Sequence, residues 1–180
     1  AGKGISAALL AAALQARLHT ISEDNLPVEQ MVARLNRGMQ RNMPGGRFVT
    51  MVATLIDGAS GTMRYTNAGH NRPILVRASG ETSELGEGGL VLGILPQAEY
   101  TGADLQLGTG DVLVYYSDGV TEAAGPNDED FGEARLAALV QRERHRPAAE
   151  IGALVREAVA RHLDGSPALD DITVVVVKRL

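Results

Sequence analysis

Three aspartates stand at the ends of two apolar, β-branched segments. The stretch "VLVYYSDGV" places Asp118 where one apolar run ends, and "DDITVVVV" places Asp170 and Asp171 where another begins. If these segments are strands that pair antiparallel, the end of one and the start of the other share an edge of the sheet. Parallel pairing would leave the carboxylates a strand length apart. Joint action of the aspartates therefore predicts antiparallel pairing.

Carboxylates gathered at one edge repel one another, so they must be protonated, solvated or paired with cations. Oxygen ligands suit hard divalent ions such as Mg²⁺ or Mn²⁺ better than zinc or copper. Two such ions can activate a water and hold a phosphate for in-line attack. The spacing alone leaves a second interpretation open, because an Asp-Gly pair after a strand is ordinarily a turn.

The composition excludes several other kinds of chemistry. The chain has 180 residues, 44% of them hydrophobic, which suits one domain with a core. A net charge of -5 argues against a nucleic-acid partner, and the absence of cysteine excludes disulfides, thiolate metal sites and cysteine nucleophiles. The most apolar stretch, Ile5 to Leu14, falls short of the roughly 20 residues that cross a bilayer. We expect a soluble, cytoplasmic protein with no membrane segment.

The hydrophobic periodicity predicts helices at both ends of the chain. Ile5 to about Thr20 has the composition of a helix buried on most of its circumference, and a second helix begins at Pro27. Asp130 and Glu133 form a capping-box pattern before a third helix, and the fourth contains Ile151 to Leu163.

The middle of the chain and its last segment read as strands. Phe48 to Asp57 and "TMRYTNAG" predict a hairpin around "GASG", and further strands are predicted at Pro73 to Ser79, "EYTGADLQL" and Val112 to Tyr116. The final run, Ile172 to Val177, is typical of a central strand buried on both faces. This order of helices, strands, helices and one strand predicts a layered α+β domain.

Several stretches together resemble one family. The segments "AGKGISAALL", "FVTM", "NAGHNRP", "YYSDGVTEA", "FGEARL" and "DDITVVVVKR" are similar, in this order, to bacterial PPM-type serine/threonine phosphatase domains of the SpoIIE-like group. The resemblance covers essentially the whole chain. It implies an α+β fold, a four-layer α-β-β-α sandwich of two mainly antiparallel sheets flanked by helices.

The resemblance also implies an activity and a cofactor. Such domains use two Mg²⁺ or Mn²⁺ ions and hydrolyse phosphoserine or phosphothreonine through a metal-bound hydroxide. Asp118 matches the family's metal-binding aspartate, Asp170 matches a second metal ligand, and Asp171 is a third candidate. The implied partner is a phosphorylated regulatory protein, such as an anti-sigma-factor antagonist. An upstream sensor domain in a longer parent chain and a homodimer are further expectations.

One departure from the family concerns the start of the chain. In the family an aspartate that bridges the two metals precedes "GKG", and a further acidic motif lies upstream, whereas this sequence opens at Ala1. We therefore expect a single domain, residues 1–180, that lacks its first strands. The rival hypothesis is a catalytically inactive regulatory binding module with the same fold. A two-metal phosphodiesterase or nuclease is disfavoured by the acidic charge.

Three residues are candidates for contact with the substrate: Lys3, His70 and Gly119. For each the alternative is structural: Lys3 lies among turn glycines, Gly119 belongs to an Asp-Gly pair that is ordinarily a turn, and His70, in "NAGHN", suits a turn that holds a hairpin. His162 is interpreted as a helix-surface residue and Asp111 as an ordinary turn aspartate.

Overall fold

The computed structural model describes residues 4–40 and 47–180. Within these residues the chain forms five helices and eight strands, and no described helix is long and apolar enough to cross a membrane. The elements are α1 (Ile5–Ser22), α2 (Val28–Gln40), β1 (Met51–Ile56), β2 (Thr62–Ala68), β3 (Ile74–Val76), β4 (Thr82–Glu84), β5 (Gly88–Gly89), β6 (Ala103–Gln106), β7 (Val112–Tyr116), α3 (Asp118–Thr121), α4 (Gly132–Glu143), α5 (Ala148–Leu163) and β8 (Val174–Lys178).

The described chain divides into two compact units, each containing one sheet. The first comprises the residues through His70 together with Gly86–Gln106, and the second comprises Asn71–Leu85 and Leu107–Leu180. Nearly all strand pairs in both sheets are antiparallel, the short β2–β5 pair being parallel. The predicted α+β class, with two mainly antiparallel sheets and flanking helices, is confirmed.

In the first unit the predicted hairpin joins β1 to β2, the strand with which every other strand of this sheet pairs. β1 pairs antiparallel with β2 from Met51↔Ala68 to Ile56↔Met63, and β5 and β6 pair with β2. The turn is held by Asp57, whose Oδ1 accepts hydrogen bonds from the main-chain N–H groups of Ala59 and Ser60. This local bonding is the reason the turn could be located from sequence.

α2 covers this sheet, whereas α1 touches the core along one side. The buried cluster of the first unit contains Leu35 and Met39 of α2, and Leu10, Leu14, Leu18 and Ile21 of α1 pack against or within it. Ile5 and Leu9 are 83% and 67% exposed, so the prediction that α1 is buried on most of its circumference is wrong. A helix that is apolar all round gives no periodic signal that would have distinguished the contacting side.

The second unit contains the sheet β4-β3-β7-β8, in which every pair is antiparallel. Its core joins this sheet to α4 and α5. Among the described strands β8 pairs only with β7, and Val175 is 51% exposed. The prediction of a central strand buried on both faces is therefore wrong: a β-branched run reports strand propensity, not the number of neighbours. The predicted capping box is also not observed, because Phe131 occupies the N-cap of α4 without a side-chain cap bond.

Asp111 is a buried anchor of the second unit, not the ordinary turn residue that the sequence suggested. Its side chain is 5% exposed, and its carboxylate accepts hydrogen bonds from the main-chain N–H groups of Gly108 and Ala78 and from Arg77, each at 2.8 Å. Burial alone would raise the pKa of Asp111, but these donors lower it overall. The carboxylate thus joins the turn before β7 to the end of β3.

Replacing this carboxylate should destabilise the fold. We expect Asp111→Asn to lower the free energy of unfolding by about 2–3 kcal/mol, since Arg77 and a main-chain N–H lose their acceptor in a buried site. Because folding depresses the pKa of Asp111, its contribution is present above about pH 4 and lost as the pH falls through the folded-state pKa. Urea unfolding of wild type and variant should therefore converge in acid. The exposed Asp164→Asn serves as control and should shift stability by less than about 0.5 kcal/mol.

Candidate functional site

The two aspartate-bearing strand ends meet at one edge of the second unit's sheet. β7 and β8 pair antiparallel from Val112↔Lys178 to Tyr116↔Val174. Asp118 follows the end of β7 by two residues, and Asp170 and Asp171 precede β8. The antiparallel pairing predicted from the requirement that these carboxylates act together is confirmed.

Ser117 joins the two strand ends beyond the last paired residues. Its N–H donates to the carbonyl of Thr173 at 3.0 Å, and its Oγ donates to the carbonyl of Asp171 at 2.8 Å. The same Oγ accepts the N–H of Thr173 at 3.0 Å. This role of Ser117 was not predicted from the sequence. The sequence feature that could have indicated it is a serine placed directly between the end of a strand and a candidate metal-binding aspartate, where its hydroxyl can both donate and accept hydrogen bonds.

Gly119 allows the two loops to approach each other closely. A Cβ at this position would lie 2.5 Å from the carbonyl oxygen of Asp171 and 3.1 Å from that of Asp170. Gly119 therefore has a structural role in addition to its candidate role at the substrate. It lets the backbone that bears Asp118 lie directly against the backbone of Asp170 and Asp171.

The carboxylates themselves are solvent-exposed and locally oriented. Asp118, Asp170 and Asp171 are all exposed. The Oδ1 of Asp118 accepts the N–H of Gly119 at 2.9 Å, and the Oδ1 of Asp170 accepts the N–H of Asp171 at 2.8 Å. These bonds fix the direction of each of the two side chains.

The chemistry of this donor set fits a hard divalent ion, because the ligands it offers are carboxylate oxygens. The number of donors is small. Within residues 4–40 and 47–180 no group of three or more metal-ligating side chains is assembled. The residues that could hold Mg²⁺ or Mn²⁺ are Asp118 and Asp170, with Asp171 beside them.

Tyr116 is the last residue of β7, two positions before Asp118, and is 3% exposed. Burial raises its pKa to about 12, and the negative charges of Glu133 and Glu84 act in the same direction. The phenol therefore stays protonated at neutral pH and cannot serve as a general base.

Two predicted candidates remain, Lys3 and His70. Lys3 falls outside the described residues. His70 belongs to the first unit, where its Nδ1 lies 3.1 Å from Thr50 Oγ1 and its N–H donates to Asn67 Oδ1 at 2.8 Å. Asn67 Nδ2 in turn donates to the carbonyl of His70 at 3.0 Å. These bonds agree with the interpretation of His70 as a residue that holds a turn.

The bonds of Ser117 lead to a stability prediction. Ser117→Ala removes one acceptor and one donor at the joined strand ends, so we expect a loss of about 1–2 kcal/mol. The amide of Thr173, which loses its acceptor, should exchange with solvent faster. Ser117→Thr keeps the hydroxyl and should retain most of the stability. Equal stability and equal exchange in wild type and Ser117→Ala would contradict the assigned role.

Gly119→Ala should also destabilise, against the usual trend. In a helix with open space, alanine is favoured over glycine by about 1 kcal/mol. Here the new Cβ would meet the backbone of Asp171, which cannot move without shifting the adjacent carboxylates. We expect Gly119→Ala to lower the melting temperature. The control Gly58→Ala, whose Cβ would meet no atom within 4 Å, should not lower it. A stabilised Gly119→Ala would refute the close approach.

Comparison with known proteins identifies the family to which the chain belongs. The family model described as stage II sporulation protein E (SpoIIE) matches residues 1–180. The chain is 28% identical over 179 residues to phosphoserine phosphatase RsbU of Bacillus subtilis, covering 99% of this chain and 53% of RsbU. It is 26% identical over 204 residues to protein IcfG of Synechocystis, covering 98% of this chain and 32% of IcfG.

Solved structures share the fold. The SiaA-PP2C domain of Pseudomonas aeruginosa superposes with a TM-score of 0.87 at 18% identity, covering 99% of this chain and 72% of that domain's chain. The chain spans about a third of the length of IcfG and about half of the length of RsbU. Because the family model matches every residue, the chain belongs to the SpoIIE family.

Proposed function

We propose that this chain is the phosphatase domain of a longer protein and removes phosphate from phosphoserine or phosphothreonine on a regulatory protein. Family membership and the similarity to a phosphoserine phosphatase support this activity. The observation that carries the proposal is the meeting of Asp118 and Asp170 at one sheet edge, held together by Ser117 and Gly119. By analogy with the family, the partner is a small phosphorylated regulator such as an anti-sigma-factor antagonist.

In this mechanism Asp118 and Asp170 would hold Mn²⁺ or Mg²⁺, with Asp171 as a further ligand. When bound, such an ion activates water for attack on phosphorus and neutralises the charge that develops on the phosphoryl oxygens. The protein's own contribution is orientation: the N–H groups of Gly119 and Asp171 fix the carboxylate directions. Ser117 fixes the separation of the two loops that bear them.

We further infer that residues 1–180 form one phosphatase domain whose first strands lie upstream. The position of β8 supports this inference, because this strand of four valines and one lysine pairs only with β7 among the described strands, which leaves its other edge open to a further strand. The additional length of the relatives is consistent with it. An acidic residue supplied from such a segment would add to the donor set at the same edge.

The first test is Mn²⁺-dependent hydrolysis of a 15-residue phosphoserine peptide. This chain and a version extended upstream by its natural residues would each be assayed as wild type, Asp118→Asn and Asp170→Asn. We expect turnover by the extended wild type and a loss of about 100-fold or more in either variant, because each removes a carboxylate from the ion. Asp164→Asn, an exposed aspartate after α5, should be as active as wild type.

Calorimetric titration with Mn²⁺ provides a second readout on the same proteins. The Asp118→Asn and Asp170→Asn variants should bind the ion more weakly. Folded proteins that neither bind Mn²⁺ nor hydrolyse the peptide at any ion concentration would instead favour the rival hypothesis of a regulatory binding module.

A further inference from the structure

A short hairpin follows the candidate site directly. After α3 the chain folds back on itself between Ala123 and Phe131: the N–H of Phe131 donates to the carbonyl of Ala123 at 2.9 Å, and Ala124 pairs with Asp130. The tip, residues 126–128, is exposed, and Asp128 adopts a left-handed conformation with φ of 62°. We call residues 123–131 the site hairpin.

His162 of α5 contacts this hairpin through a hydrogen bond and a ring contact. Its Nε2 lies 2.9 Å from the main-chain carbonyl of Glu129, which also accepts the N–H of Gly125 at 2.8 Å. The imidazole packs edge-on against Phe131, with ring centroids 5.5 Å apart. His162 is half-buried, so its interpretation as a helix-surface residue is wrong. Since only a ring nitrogen that bears hydrogen can donate to a carbonyl, Nε2 is the protonated one.

The base of the hairpin is packed but not fully satisfied. A Cβ on Gly125 would lie 2.8 Å from Glu129 Oε1 and 3.2 Å from His162 Cε1, so the three residues are in close contact. Among the described residues, Glu129 Oε2 is buried without a hydrogen-bond partner. A buried oxygen of this kind costs free energy when the hairpin is folded. The stability of the folded hairpin therefore depends more strongly on the hydrogen bond from His162 than it would if every buried polar atom of the hairpin had a partner.

The hairpin lies within reach of a substrate held at the carboxylates. Between Asp118 and Ala123 the chain makes one turn of helix and two further steps, so their Cα atoms are at most about 13 Å apart. An extended peptide advances about 3.3 Å per residue. The residues about four positions from a phosphoserine bound at Asp118 can therefore extend as far as Ala123, at the base of the hairpin, and residues farther from the phosphoserine can extend toward its exposed tip.

We propose that His162 is a positioning residue that holds the site hairpin as a contact surface for the polypeptide flanking the phosphoserine. This inference rests on the proposed phosphatase function. It assigns the hairpin to recognition of the peptide and not to hydrolysis, so His162 should affect binding of a peptide while sparing a substrate that has no polypeptide.

The test compares a 15-residue phosphoserine peptide with p-nitrophenyl phosphate, in the extended protein that turns over. His162→Phe keeps the aromatic contact with Phe131 and removes the donor, whereas His162→Gln keeps a donor. His145→Phe, at an exposed histidine in the turn before α5, is the matched control. Hydrogen exchange at the amides of Gly125 and Phe131 reports directly whether the hairpin has opened.

We expect His162→Phe to raise KM for the peptide about 5- to 50-fold, as the loss of one buried hydrogen bond allows. Hydrolysis of p-nitrophenyl phosphate should change less than about twofold, and exchange at both amides should accelerate. His162→Gln should recover most of the peptide affinity, and His145→Phe should resemble wild type. Asn127→Arg, which alters the exposed tip and leaves the anchor intact, should also change the peptide KM while sparing the small substrate.

Two results would overturn the proposal: accelerated exchange with an unchanged peptide KM, or an equal loss on both substrates. If His162→Phe fails to fold, the tip variant decides, because an unchanged peptide KM in Asn127→Arg would contradict contact with the peptide. If wild type hydrolyses neither substrate, the phosphatase function itself fails. Peptide affinity measured by fluorescence anisotropy in wild type and variants then still tests the role of the hairpin.

Discussion

The antiparallel register of β7 with β8 is the constraint on which the candidate site depends. Tyr116 pairs with Val174, so the loops after β7 and before β8 emerge at one edge. A slip by one residue would turn every side chain of β8 to the opposite face, and a slip by two would displace Asp170 along the strand by about 7 Å. The bonds of Ser117 and the absent side chain of Gly119 lie where such a slip would begin.

Two kinds of aspartate in this protein show how placement separates structure from chemistry. Asp111 is buried and accepts hydrogen bonds from three donors, so its negative charge stabilises the fold. Asp118 and Asp170 are exposed, and each is oriented by the N–H of the next residue. Exposure keeps the cost of gathering negative charge low, because water screens the repulsion. An edge of this kind can remain folded with or without a cation.

The sequence predicted what local patterns determine and failed where tertiary neighbours decide. The β1–β2 hairpin and β7 were located because apolar and β-branched runs bounded by turn residues define them. The meeting of Asp118 and Asp170 followed from one rule about antiparallel ends. The exposure of β8 and of α1 could not be predicted, since uniformly apolar segments do not reveal which side has a partner. The roles of Ser117 and His162 depend on contacts with residues distant in sequence.

The discontinuity of the second unit has a consequence for the time course of folding. β3 pairs with β7, and the segment between them belongs largely to the first unit, so pairing Val76 with Val112 closes a loop of roughly 36 residues. Pairings of such separation lose chain entropy before they gain contacts, which slows folding. The sheet that presents the aspartates is therefore expected to form late, and the nascent β7 must remain soluble until its neighbour arrives.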